Sequence, residues 1–136
     1  MIKVIFACTH SAGRSQMAAA FFSALADPQK ARAVAAGTEP AERVHPEVVA
    51  VMGEVDFDLS AARPQRLTAG LAADAGLLVT MGCGENCPYL PGLRVEDWAL
   101  EDPKGKPMAE VRRIRDRIRT RVEQLIEREG LGKGKD

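Results

Sequence analysis

Aromatic residues are scarce in this chain: one Trp, one Tyr and four Phe, 4% of 136 residues. A site that grips a flat ring between aromatic walls has little to build with. Long apolar runs are missing as well. None approaches the ~20 residues a membrane helix needs, so no membrane role is expected. Net charge is absent, with 19 basic and 19 acidic side chains. That removes any general attraction to nucleic acid or an anionic surface, and any anion site has to be local. Cysteine is limited to three residues, an odd number that argues against a structural disulfide framework. The first residues run straight into a strand-like segment with no basic n-region or cleavage site, so a cytoplasmic location is expected.

What is present fits a soluble enzyme-sized domain over residues 1–136. Hydrophobic residues make up 46% and charged residues 28%, enough for a core and a solvated surface. Ile2 to Ala7 is a short apolar run broken only by Lys3 and reads as a buried strand. Thr9 to Gly13 is small and polar, a loop. Arg14 to Ala26 reads as a helix with Met17, Ala20, Phe21, Ala24 and Leu25 on one face, stopped at Asp27-Pro28. Ala31 to Ala36 is a second strand closed by Gly37, and Pro46 to Glu54 a second helix with Pro early in its first turn. Leu67 to Ala75 suits a short helix. Leu77 to Met81 is continuously apolar, as the interior of a parallel sheet requires. Gly82 to Gly92 is an irregular loop, and Leu93 to Trp98 a fourth strand. Leu100 to Pro107 is polar, and Met108 to Arg128 is a long helix with Val111, Ile114, Ile118, Val122, Leu125 and Ile126 inward. Its arginines (112, 113, 115, 117, 119, 121) read as a solvated face. Residues 130–136 are expected to fray.

Strands that alternate with helices point to an α/β fold, a parallel sheet between helices. Ligands of such sheets sit beyond the carboxyl ends of the strands. The loops that carry Cys8, Cys83 and Asp102 all follow strands, so they should gather at one edge.

Cys8-Thr9-His10-Ser11-Ala12-Gly13-Arg14-Ser15 has the form C-x5-R-S and lies between the first strand and the first helix. A tight loop that enters a helix turns successive backbone N–H groups inward and makes an anion cradle. The helix end adds positive potential, and Arg14 is able to hold two oxygens at once. Such a field favours the thiolate of Cys8, the nucleophilic form. Ser15 has a hydroxyl to donate to it, and Ala12 and Gly13 let the backbone come close. His10 is either a solvent-facing loop residue or a participant. An accidental Cys and Arg around an ordinary helix start is the alternative, and the position between strand and helix weighs against it.

Cys83 and Cys87 form C-x3-C, flanked by Gly82, Gly84 and Pro88. Zinc would want about four ligands, and only His10 and His45 remain as histidines. Two inert buried thiols are a second reading and a redox pair a third. Residues four apart in a regular helix have Cβ atoms about 5–6 Å apart, whereas a disulfide needs about 3.5–4.5 Å. A redox pair here therefore expects an irregular segment that distorts on oxidation, the mobile part of the molecule.

Four segments carry a family resemblance: ACTHSAGRSQMA (7–18), AGTEPAER (36–43), VTMGCGENCP (79–88) and DWALEDPKGKP (97–107). Together they resemble the thioredoxin-coupled arsenate reductases of the low-molecular-weight tyrosine phosphatase-like family. The resemblance implies a three-layer sandwich around a four-stranded parallel sheet, and reduction of arsenate to arsenite. It implies Cys8 as nucleophile, oxyanion binding by Thr9 to Ser15 with phosphate or sulfate competing, and Asp102 as the acid that protonates the departing oxygen. Asp97 and Glu101 are weaker choices, and Asp102-Pro103 is otherwise a turn. It further implies a relay in which Cys83 attacks Cys8 and Cys87 then attacks Cys83. Thioredoxin or another thiol reductant reduces the resulting pair, with no metal or organic cofactor. Many members have Asn where this chain has Ser11, and the best-known ones space the two relay cysteines further apart.

Two rival functions use the same loop. A phosphatase on phosphotyrosine or small phosphate esters would need Cys8, Arg14 and Asp102 but not Cys83 and Cys87. A cysteine phosphocarrier would need neither a general acid nor the extra thiols.

Overall fold

The computed structural model describes residues 1–82 and 92–133. Four strands form one fully parallel sheet in the order β2-β1-β3-β4, with β1 at Ile2–Cys8, β2 at Ala31–Gly37, β3 at Leu77–Thr80 and β4 at Val95–Asp97. The helices are α1 at Arg14–Leu25, α2 at Pro46–Gly53, α3 at Ala69–Ala72 and α4 at Met108–Glu129. The architecture is the expected three-layer α/β sandwich.

The two-residue period of β1 divides the core. Val4, Phe6 and Cys8 face one side, where Phe21 and Phe22 of α1, Val48 and Met52 of α2, and Ile114 and Ile118 of α4 pack. Ile5 and Ala7 face the other, against Leu67, Ala72 and Leu78. Successive side chains of a strand point to opposite faces, so a strand buried on both reads as unbroken apolar sequence. Lys3 is the exception, and its ammonium is neutralised at the edge by Asp74 at 2.9 Å.

Three local expectations are corrected. The buried face of α1 is Met17, Ala18, Phe21 and Phe22, while Ala24 is exposed. Phe22 sets this rotation by packing on Phe6, with ring centroids 5.7 Å apart. Arg115 is not a solvated residue of α4. It is 8% exposed and donates to Val51 O at 2.8 Å and Glu54 Oε1 at 3.0 Å, which ties α4 to α2. The start of the tail does not fray either. Gly130 caps α4 in the left-handed region, Leu131 is buried, and Leu131 O accepts from Asp27 N–H at 2.8 Å. Residues 134–136 lie outside the described residues.

Candidate active site

β1 ends at Cys8 and α1 begins at Arg14, so the whole motif lies at the carboxyl edge of the central strand. The loop's carbonyls are all turned away from its centre and satisfied. Those of Cys8, Thr9, His10 and Ala12 accept from the backbone N–H groups of Thr38, Glu39, Ala41 and His45, at 3.3, 2.8, 2.9 and 2.9 Å. Ser11 O accepts from Gln16 Nε2 at 2.9 Å and Gly13 O from Met17 N–H at 3.0 Å. Ser11 reverses the chain direction in the left-handed region, at φ 52°, a conformation more usual for Asn than for Ser. The N–H groups of Thr9 to Gln16, by contrast, donate to no backbone or side-chain acceptor among the described residues. Carbonyls outward and N–H groups free is the arrangement an oxyanion cradle requires.

Gly37 makes this closure possible. A Cβ there would stand 2.6 Å from Thr9 O and 2.8 Å from Ser11 N. The segment after β2 therefore lies flat against the loop only because residue 37 has no side chain. Thr38 supplies the first of these backbone contacts, and its Oγ1 is buried with no partner among the described residues.

Cys8 lies at the base of the cradle, 2% exposed, with its Sγ 3.2 Å from Ser15 Oγ. Arg14 is buried and directed across the site. Its Nη1 donates to Leu100 O at 3.1 Å, and its Nη2 lies 3.8 Å from Asp102 Oδ2. Gly82 sits directly behind it, and a Cβ there would be 2.2 Å from Arg14 Nη1. Asp102 takes two positions at once: Oδ1 accepts from Lys104 N–H at 3.0 Å, closing the Asp-Pro turn, while Oδ2 faces the Arg14 guanidinium. The next residue, Pro103, packs on Gly13, where a Cβ would meet its Cγ at 3.0 Å and the His45 ring at 3.7 Å.

Cys8, Arg14, Ser15 and Asp102 are thus brought together, on a loop formed by Thr9 to Gly13. His10 is half-buried at its rim, with Nδ1 3.1 Å from Glu39 O. Asp97 is engaged elsewhere, its Oδ1 accepting from the Thr80 hydroxyl at 2.6 Å, and Glu101 pairs with Lys106 at 3.6 Å. Cys83 and Cys87 lie outside the described residues. Gly37, Gly82, Gln16 and Pro103 were not identified as site residues from the sequence. A signal was present for Gln16, a polar residue on the buried first turn of α1.

The strand–cradle–helix arrangement, with a buried Cys at its base and an Arg at the helix start, has counterparts among known proteins. Residues 3–135 match the family described as low molecular weight phosphotyrosine protein phosphatase. The chain belongs to that family. Within it, a protein of Halobacterium salinarum called a putative arsenate reductase is 40% identical over 130 residues, 90% of this chain and 89% of the relative. The glutaredoxin arsenate reductase of a Synechocystis species is 36% identical over 129 residues, 93% of this chain and 97% of the relative. Among solved structures, the thioredoxin-dependent arsenate reductase of Corynebacterium glutamicum superposes with a TM-score of 0.79 at 35% identity. That alignment covers 93% of this chain and 61% of the longer one, so this chain spans about three fifths of it.

Among the described residues no helix is long and apolar enough to cross a membrane.

Proposed function

We propose that this chain is an arsenate reductase, using Cys8 as nucleophile and the three cysteines as the source of electrons. The observation that carries the reading is the cradle itself: N–H groups of Thr9 to Gln16 with no partner among the described residues, over the buried sulfur of Cys8 and beside Arg14. A tetrahedral oxyanion supplies the missing acceptors. The relatives called arsenate reductases, at 36–40% identity, support arsenate as the anion.

The steps balance as follows. The Cys8 thiolate attacks arsenic in arsenate held by the loop and Arg14. One oxygen leaves as water, with Asp102 as proton donor, its Oδ2 standing at the site 3.8 Å from Arg14 Nη2. The thiolate of Cys83 attacks Cys8 sulfur, forming an S–S bond, and the electron pair of the S–As bond stays on arsenic. Arsenic(V) thereby leaves as arsenite, arsenic(III). Cys87 then attacks Cys83 and frees the Cys8 thiol, and an external dithiol reduces the Cys83–Cys87 disulfide. Relatives named for thioredoxin and for glutaredoxin bracket the identity of that reductant. We assign the reaction to arsenic detoxification in the cytoplasm.

A phosphatase reading is favoured by the family description and by a cradle that would hold phosphate as well. It needs Cys8, Arg14 and Asp102 only. The deciding experiment measures arsenite formed from arsenate with a thioredoxin or glutaredoxin system, beside hydrolysis of a chromogenic aryl phosphate. Thiol-dependent arsenite production bears out the proposal. Aryl phosphate hydrolysis without arsenite production would replace it with the phosphatase.

A further inference from the structure

Behind the cradle, Gln16 is connected to the nucleophile through two serines. Its Nε2 lies 2.9 Å from Ser11 O, 3.3 Å from Ser11 Oγ and 3.2 Å from Arg63 O. Two of these neighbours are backbone carbonyls, which only accept, so the nitrogen end of the amide must face them. The amide has two hydrogens. One serves Arg63 O, and the other is shared between the carbonyl and hydroxyl of Ser11.

This gives the hydroxyls a direction. Ser11 Oγ already receives a hydrogen bond, so its own proton is available to Ser15 Oγ, 3.5 Å away. Ser15 then has its proton free for Cys8 Sγ at 3.2 Å. A protonated Cys8 would drive the chain the other way, from sulfur to Ser15 and from Ser15 to Ser11, which would then accept from two donors and leave its own proton with no acceptor among the described residues. Ser11 and Ser15 are 0% exposed and Gln16 7%, so water does not reset this polarity. In so dry a setting the orientation of each donor counts for more than in solvent.

We propose that Gln16 is a positioning residue for catalysis: acting through Ser11 and Ser15, it aims the Ser15 proton at Cys8 and so holds the sulfur in its ionised, nucleophilic form. The proposal rests on Cys8 being the nucleophile but not on the identity of the oxyanion. The contact with Arg63 O extends the effect, because it anchors the amide to the segment before Leu67, outside the loop.

The test is site-resolved alkylation of Cys8 by iodoacetamide in the reduced full-length chain, quantified by mass spectrometry across pH. The variants are Gln16→Met, which keeps the bulk and removes both donors, and Ser15→Ala, alone and combined. Other charged or titratable groups around the site among the described residues are Arg14 from α1, Asp102 before α4, His10 in the loop, Glu39 against it, His45 at the start of α2, Arg63 beside Gln16 and Arg66 on Thr38 O. None is altered. Gln16→Met should slow alkylation at pH 7 by roughly threefold or more, the effect of one lost net hydrogen bond between neutral groups. The deficit should close above about pH 10, where an ordinary thiol is ionised regardless. On the Ser15→Ala background Gln16→Met should add nothing, because its route to the sulfur is already cut.

Unchanged alkylation at pH 7 would overturn the proposal, as would a deficit that persists at pH 10, which is a packing effect. An additive loss in the double variant would overturn it too, since Gln16 would then act by another route. Gln16→Ala carries the same criteria if the Met variant does not fold. Alkylation needs no arsenate, so failure here leaves the reaction assignment intact, and failure of arsenate reduction leaves this result standing.

Discussion

The guanidinium of Arg14 is fixed by backbone on two sides. Leu100 O accepts from Nη1 in front, and the backbone at Gly82 closes in behind, so near that a methyl group would lie 2.2 Å from Nη1. Gly82 is also at φ +89°, where an L-residue costs about 1–2 kcal/mol. Gly82→Ala is therefore expected to cost both stability and oxyanion affinity, because strain and displacement of the arginine arise at one atom. Thermal unfolding read beside sulfate protection of Cys8 against alkylation separates the two. Full protection by sulfate at wild-type concentrations would show that Arg14 tolerates the displacement. Arg14→Lys makes the complementary change. Lysine keeps the charge but lacks the planar fork that reaches Leu100 O and an oxyanion together. Turnover should fall by roughly a hundredfold or more with the unfolding temperature little changed, on the scale of losing one preorganised transition-state contact. Near wild-type turnover would remove Arg14 from the site.

At the scale of elements, parallel strands deliver their carboxyl ends to one edge, and each site residue follows a strand by a short stretch of chain: Cys8 at the end of β1, Gly82 after β3, Asp102 after β4. This much was legible from the alternation of apolar runs with helical periodicity, and the strand and helix positions follow it closely. Boundaries were less so. The segment at Leu93 to Trp98 forms a strand only over Val95–Asp97, at the sheet edge, where pairing is available on one side alone. The face of α1 and the role of Arg115 were hidden for a different reason. Both depend on partners far along the chain, Phe6 for Phe22 and Glu54 for Arg115, and local periodicity carries no trace of them. The same holds for Gly37 and Gly82, whose lack of a side chain matters because of what packs on them. Glu54 carries a prediction at this scale. Its carboxyl is held below its ordinary value of 4.5, chiefly by the hydrogen bonds from Arg112, with Arg115 adding to them against an opposing desolvation. A carboxyl lowered in the folded state stabilises above its unfolded value, and that contribution is lost as pH falls through the lowered one. Glu54→Gln should then unfold at a lower temperature than wild type near neutrality, and the two should converge as pH drops below about 4. A gap that stays constant into acid would mean the α2–α4 ion pairs contribute nothing through ionisation.

For the whole molecule, the question is whether the cradle works alone or with the two further thiols, and Cys87 is the residue that decides it. β3 ends at Thr80, and two residues on the backbone of Gly82 lies so near the Arg14 guanidinium that a Cβ there would stand 2.2 Å from Nη1. If the three cysteines act in relay, Cys87→Ser completes the first two steps and stops. Each chain then releases about one arsenite and remains as a Cys8–Cys83 disulfide, since the exchange that frees Cys8 has lost its attacking thiolate. Cys83→Ser stops earlier, with arsenic still on Cys8. Hydrolysis of an aryl phosphate, where it occurs, needs only Cys8, Arg14 and Asp102 and survives both changes. The C-x3-C spacing makes the test worthwhile: a regular helical turn leaves the two Cβ atoms about 5–6 Å apart, beyond the about 3.5–4.5 Å of a disulfide. The last exchange therefore demands an irregular or rearranged segment. Arsenite counted per chain in a single incubation, with mass-spectrometric mapping of the disulfides, reads out each stage. Sustained turnover by Cys87→Ser with a thioredoxin or glutaredoxin system would sink the relay and point to direct attack by an external thiol on the Cys8 adduct. A single burst that ends in the Cys8–Cys83 bond would establish that the electrons leave through Cys87.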